Sequence, residues 1–121
     1  MDRVRFITHQ RKRVLLVDLT NCSASEVMKV MGEVQRIVTA QPRESALTLG
    51  DLTGAQFSRT VITRMKEVAV FDRPFVKRAA LVGAESLPTV FYEALKTFSR
   101  REFPQFKTRE EALDWLVKEA A

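Results

Sequence analysis

The sequence runs Val14-Leu15-Leu16-Val17-Asp18-Leu19 and continues, after three residues, with Ser23-Ala24-Ser25-Glu26. The first stretch is apolar at successive positions, which is typical of a strand that is buried on both faces of a sheet. The second fits a capping box, in which the Ser hydroxyl and the Glu carboxylate bond to free amides at a helix start. Apolar residues with the spacing of one helical face follow at Val27, Val30, Met31, Val34, Ile37 and Val38.

The same alternation of strand and helix extends along the whole chain. Strands are predicted at residues 4–8, 14–19, 46–49, 75–82 and 103–106. Helical stripes are predicted at residues 27–38, 61–69, 91–98 and 112–116. The first helix is predicted to end near Gln41, and Pro104 confines the last strand to a sheet edge. Because single helices separate the later strands, the prediction is an α/β fold with a mixed, mostly parallel five-stranded sheet and about four helices.

Length and composition narrow the classes of function. With 121 residues, the chain is predicted to form a single domain over residues 1–121. One Cys and one His exclude disulfide frameworks and zinc sites built from several such ligands, so no metal and no cofactor is predicted. The net charge of +5 comes from 20 basic and 15 acidic residues. We expect no nucleic-acid partner, because the basic clusters lack the aromatic strand pattern of RNA-binding modules.

The sequence also predicts the cellular setting. Charged residues interrupt the first six positions, where a secretion signal needs a continuous apolar stretch. The longest apolar run, from Val14 to Val17, is far below the roughly 20 residues that span a bilayer. We therefore expect no membrane span and a cytoplasmic protein, in which Cys22 remains a thiol.

Functional residues of an open α/β sheet are expected where the parallel strands end. The loops at this edge contain Asp18, Asp51 and Glu85, together with several hydroxyls. These acids either bind a cation or polarise a water, or they and the nearby serines simply cap helices and turns. An enzyme built on them has the least support, because the sequence pairs no nucleophile with a base. We therefore predict no catalytic residues.

Two other features of the sequence leave alternatives open. Cys22 follows a central strand, where a helix N-terminus would make it a reactive thiolate; otherwise it is a quiet, partly buried thiol. Aromatic residues concentrate around the second and third predicted helices. They belong to the core or line a pocket for an apolar ligand, and they are Phe57, Phe71, Phe75, Phe91 and Phe98.

Several segments, in their order along the chain, resemble the SpoIIAA-like, or STAS-like, family of small bacterial α/β proteins. The resemblance covers nearly the whole chain. Its carriers are residues 14–19, 47–54, 74–83, 98–101 and 106–116. It implies a right-handed superhelix of βα units, a fold shared with lipid-exchange domains of the Sec14 type.

The anti-sigma-factor antagonists of this family carry Asp-Leu-Ser-Gly followed by Asp-Ser-Ser-Gly, whose first Ser is phosphorylated at a helix N-terminus. The segment Asp51-Leu52-Thr53-Gly54 matches the first part. The second part falls on Arg59-Thr60-Val61-Ile62, so Thr60 occupies the phosphoacceptor position without the neighbouring Asp, Ser and Gly. The resemblance therefore leaves Thr60 and Ser58 as weak phosphoacceptor candidates.

We therefore predict a non-enzymatic interaction or regulatory module that lacks the full phosphoacceptor motif. A protein partner is expected to bind the surface formed by Asp51, Thr53, Phe57, Ser58 and Thr60 and the helix behind them. The alternative, suggested by the Sec14 kinship and the Phe cluster, is a carrier of a small apolar or lipid-like ligand. Either a monomer or a homodimer is compatible with the sequence.

Overall fold

The computed structural model describes residues 3–118, except for the side chains of residues 86, 98 and 99. The predicted order of strands and helices is confirmed, with one additional short 3-10 helix at Ala84–Ser86. The strands are β1 (Val4–His9), β2 (Lys12–Asp18), β3 (Ala46–Asp51), β4 (Val76–Val82) and β5 (Gln105–Phe106). The helices are α1 (Ala24–Val38), α2 (Arg59–Asp72), α3 (Thr89–Ser99) and α4 (Arg109–Val117).

The five strands form one sheet in the order β1-β2-β3-β4-β5. Strands β1 and β2 form a hairpin, in which they pair antiparallel and Val4 lies opposite Val17. The other neighbours pair in parallel, so the sheet is mixed and mostly parallel, as predicted. At the hairpin turn, Gln10 and Arg11 both adopt positive φ angles of 49° and 68°, which match the twist of the two strands.

Apolar residues of β2 contact a different core on each face of the sheet, as its sequence predicts. Leu15 and Val17 pack in a main core beneath α1, α2 and α3. Val14 and Leu16 pack in a smaller core beneath α4. All four side chains are at most 6% exposed, so β2 is a central strand covered on both faces.

Helix α1 begins as predicted and ends three residues before the predicted end. The capping box is present, since Ser23 Oγ accepts from the Glu26 amide and the Glu26 carboxylate accepts from the Ser23 amide. The helix ends at Val38, and two side chains that follow it add hydrogen bonds to carbonyls of its last turn. Thr39 Oγ1 donates to the Gln35 carbonyl, and Gln41 Nε2 donates to the Ile37 carbonyl.

Two predicted strands are shorter in the structure. Strand β4 begins at Val76, because the Phe75 amide donates to the Asp72 carbonyl and closes the turn after α2. Strand β5 contains only Gln105 and Phe106. The preceding Pro104 still contributes its carbonyl, which accepts from the Leu81 amide.

Candidate functional site

Two aspartates lie side by side where strands β2 and β3 end. Asp18 and Asp51 are partners in the register of these parallel strands. The Oδ1 atom of Asp18 accepts from the amide of Thr20 at 3.0 Å and from its hydroxyl at 2.6 Å. Asp51 Oδ1 accepts the equivalent pair from Thr53 at 3.1 and 2.7 Å. The two loops therefore begin with the same Asp-x-Thr turn.

Arg109, the first residue of α4, joins the two carboxylates. Its Nε donates to Asp51 Oδ2 at 2.7 Å, and its Nη2 lies 3.4 Å from Asp18 Oδ1. Arg3 lies on the other side of Asp18, with Nη1 3.7 Å from the same oxygen. Burial alone would raise the pKa of Asp18. The hydrogen bonds from Thr20 and the charges of Arg109 and Arg3 lower that pKa below its ordinary value.

The expected convergence of three acids is therefore found for two of them. Asp18 and Asp51 are neutralised by guanidinium groups, whereas Glu85 is exposed on the 3-10 helix. Among residues 3–118, no group of three or more His, Cys, Asp and Glu side chains is placed to hold a metal ion. Asp18, Asp51 and Arg109 together join the two loops to α4, and we call these three residues the clamp.

The predicted interaction surface is a loop edge above this clamp. Thr53, Ser58 and Thr60 are exposed, Phe57 is half-buried against the main core, and Asp51 is buried at 5% exposure. Ser58 is the N-cap of α2, and its hydroxyl accepts from the Val61 amide at 3.2 Å. Asp51 therefore supports the surface from below, while the other four residues lie on it.

Backbone hydrogen bonds hold this loop edge in place. The Asn21 amide donates to the Thr53 carbonyl at 2.8 Å, and the Gln56 amide donates to the Cys22 carbonyl at 2.9 Å. Gly54 adopts a φ of 71°, which an L side chain rarely adopts. The loops after β2 and β3 are thus one connected surface.

Cys22 lies beneath these loops as a neutral thiol. Its side chain is 0% exposed, and burial raises its pKa. A raised pKa disfavours the thiolate that a reactive cysteine requires. Of the two alternatives from the sequence, the structure supports the quiet thiol.

A cavity of about 120 Å³ lies between the sheet and the helices of the main core. Small residues of the sheet, Thr48, Gly50 and Ala79, form its floor. The alternation along β3 directs Thr48 and Gly50 towards this face, since Leu47 and Leu49 belong to the smaller core. The walls are apolar and include Met31 and Val34 of α1, Met65 and Val68 of α2, and Leu95 of α3.

One end of this cavity is polar. Asp72, the last residue of α2, lines the cavity and is only 7% exposed. Its Oδ1 has no hydrogen-bond partner among the residues that the structure describes. Burial raises the pKa of Asp72 to about 7, although the charge of Arg64 opposes this shift. The sequence analysis did not single out Asp72, because its burial depends on how α2 packs against the sheet.

The cavity is not built from the predicted aromatic cluster. Its lining includes Phe103 but, within the described part of the chain, none of Phe57, Phe71, Phe75 and Phe91. Phe71 is 55% exposed, and the other three pack partly buried against the main core. The side chain of Phe98 lies outside the described residues. The predicted aromatic residues therefore lie on the elements around the cavity, but the four described ones do not line it.

Known proteins resemble this chain in structure. No protein-family model and no curated protein sequence matches the chain. An uncharacterised protein of the DUF3478 family from Shewanella loihica, described as having a SpoIIAA-like fold, superposes with a TM-score of 0.73. The match is 17% identical and covers 94% of this chain and 92% of that one. The chain has a SpoIIAA-like fold.

A second structure with this SpoIIAA-like fold is an anti-sigma-factor antagonist (STAS) domain protein from Planctomyces limnophilus. The superposition has a TM-score of 0.60 at 17% identity, and it covers 95% of this chain and 98% of that chain. Both matches include nearly the full length of the compared chains. At such low identity they establish the fold alone.

The opposite edge of the SpoIIAA-like sheet is basic. Basic residues of the hairpin and of β4 lie close together here. Five cations line one groove: Lys12, Arg13, Lys77, Arg78 and Lys118. Lys12 Nζ donates to the Val117 carbonyl, and Arg78 lies 4.0 Å from the Trp115 ring centroid. These contacts secure the C-terminal end of α4 to the sheet.

Within residues 3–118, none of the helices is both long enough and apolar enough to cross a membrane.

Proposed function

We propose that the protein is a non-enzymatic, STAS-like interaction module that binds a protein partner through the loop edge of Thr53, Phe57, Ser58 and Thr60. The observation that supports this most is the construction of that edge. It presents exposed hydroxyl groups beside a half-buried aromatic ring, on loops joined by backbone hydrogen bonds. Such a surface loses little conformational entropy on binding. The anti-sigma-factor antagonist with the same fold adds support from analogy.

Thr60 is the better of the two phosphoacceptor candidates on this edge. The Ser58 hydroxyl is engaged as the cap of α2, whereas Thr60 is exposed in the first turn of that helix. A phosphate there would be stabilised by the positive end of the helix dipole. In this proposal, phosphorylation of Thr60 changes the charge of the loop edge and thereby controls the partner.

Comparative affinity capture from the native cell tests the interaction surface. Wild type, Thr60→Glu, and Phe57→Asp combined with Thr60→Glu are used as baits. Thr89→Glu is the matched control, because it makes the same change at an exposed threonine in the first turn of α3. We expect a protein that wild type and Thr89→Glu retain and the double variant loses, and that binds the purified wild-type chain directly.

Capture of identical proteins by all four baits would overturn this surface. Phe57 packs against the main core, so circular dichroism must show that the double variant is folded. Thr60→Glu alone changes only an exposed side chain, so its captured proteins can be compared with those of wild type without any change in that core.

The cavity favours a second candidate function, binding of a small apolar ligand. Its volume of about 120 Å³ is close to the roughly 150 Å³ of an engineered apolar cavity that binds benzene. A molecule of about the size of benzene therefore matches this space, and it belongs to the small apolar ligands that the sequence suggested. Native mass spectrometry of gently purified protein should then show a retained mass; an empty chain that also stays empty after incubation with benzene would remove this candidate.

A further inference from the structure

The unusual feature of the cavity is a polar atom that lacks a partner. Buried side-chain oxygens are almost always hydrogen-bonded, because an unmade bond in an apolar environment costs free energy. Asp72 lines the cavity, and its Oδ1 is buried and has no partner among the described residues. An acceptor in this position is a binding point for a ligand that enters the cavity.

The cations near this end of the cavity do not hydrogen-bond to Asp72 Oδ1. Arg101 Nη1 donates to the Lys77 carbonyl at 3.0 Å, and its Nη2 donates to the Arg73 carbonyl at 2.8 Å. These bonds tie the segment after α3 to the end of α2 and to β4. Arg64 acts on Asp72 through its charge, without a hydrogen bond to Oδ1.

We propose that the cavity binds a small alcohol or phenol, with its apolar body between the sheet and the helices and its hydroxyl hydrogen-bonded to Asp72 Oδ1. This inference rests on the second candidate function and adds the chemistry of the ligand's polar group. In this proposal, Asp72 determines the preference for ligands that carry a hydroxyl group.

A hydroxyl suits this carboxyl better than other polar groups do. With its pKa raised to about 7, Asp72 is present both as carboxylate and as carboxylic acid near neutral pH. A hydroxyl donates to the carboxylate and accepts from the acid, so it bonds in either state. An ammonium group cannot accept the acid's O–H, and an ether cannot donate to the carboxylate, so neither complements both states.

The test compares phenol with benzene, which differ by the hydroxyl alone. Dissociation constants are measured by calorimetry, and the site is located from the methyl signals of Met31 and Met65, which line the cavity. Met28 packs against the same core but is not among the lining residues, so its methyl is the internal reference. We expect Asp72→Leu to lower the preference for phenol over benzene about tenfold. The matched control Asp114→Leu changes an exposed aspartate and should leave the preference unchanged.

Each result has a distinct meaning. If both probes shift the Met31 and Met65 methyls but Asp72→Leu leaves the preference unchanged, the proposed role of Asp72 is wrong and the second candidate function stands. If neither probe shifts these methyls at saturation, both are wrong. Should Asp72→Leu fail to fold, Asp72→Asn must keep the preference for phenol, because its amide retains an acceptor. Ala79→Leu, which fills the cavity floor, must abolish binding of both probes.

Discussion

Arg109 Nε donates a hydrogen bond of 2.7 Å to Asp51 Oδ2, across 58 positions of sequence. The bond joins the start of α4 to the end of β3. A cation in the first turn of a helix faces the positive end of the helix dipole, so Arg109 is poorly placed for α4 itself. Its pairing with Asp51, and with Asp18 beside it, explains why it lies there.

Replacing Arg109 should therefore destabilise the whole fold. In Arg109→Met, Asp51 remains buried without its cation, and we expect the free energy of unfolding to fall by about 2 kcal/mol. Urea denaturation followed by circular dichroism measures this loss. Arg36→Met removes an exposed ion pair with Glu33 and should leave the midpoint unchanged. Equal midpoints for both variants would show that the clamp is not stabilising.

Asp72 should make stability depend on pH. Its raised folded pKa of about 7 means that between pH 4 and 7 the folded chain holds a proton that the unfolded chain has released. Stability from this group is therefore complete below about pH 4 and declines as the pH rises to about 7, at about 1.4 kcal/mol for each unit of pKa difference.

Asp72→Asn should remove this decline, because an amide does not titrate. The measurement is the difference in unfolding free energy between Asp72→Asn and wild type from pH 4 to 8, which cancels the titration of other groups. We expect the unfolding free energy of Asp72→Asn to rise relative to that of wild type as the pH rises. A difference that stays constant over this range contradicts the raised pKa.

Two glycines should respond oppositely to the same substitution. Gly32 lies within α1, where an added Cβ meets no described atom within 4 Å, so Gly32→Ala should stabilise the fold by about 1 kcal/mol. Gly83 adopts a φ of 68°, and an added Cβ would press on the backbone of Thr53. Gly83→Ala should therefore destabilise the fold by about 2 kcal/mol or more. Thermal unfolding measures the change in stability of both variants. A Gly83→Ala variant as stable as wild type would contradict the close approach of Gly83 to Thr53.

Cys22 should be chemically quiet in the folded protein. Its buried thiol has a raised pKa, so little thiolate is present at pH 7.5. We expect iodoacetamide to modify it at least about tenfold more slowly in buffer than in urea, as followed by mass spectrometry. Equal rates in the two solvents would mean that the helix start activates the thiol.

Local patterns predicted most of the secondary structure. The capping box at Ser23 and the apolar stripe behind it are found in α1, because both depend only on residues within a few positions of each other. The errors lie at element ends. The predicted strand start at Phe75 is wrong, since its amide bonds to Asp72 in a turn that the apolar pattern does not indicate.

The candidate sites were less accessible to sequence reasoning. Asp51 was predicted to lie on the binding surface, but it is buried and bonded to Arg109, which lies 58 positions further along the chain. The single domain over residues 1–121, the protein partner, the cytoplasmic location and the choice of monomer or homodimer stay predictions.

By itself, the sequence determined the order of strands and helices and the burial of β2 on both faces, because these follow from residue identity and short-range spacing. Only the tertiary structure decided that Arg109 clamps Asp18 and Asp51 and that Asp72 ends an apolar cavity. Both depend on which distant elements pack together. The cavity also depends on small residues such as Gly50 and Ala79, which leave space between the sheet and the helices.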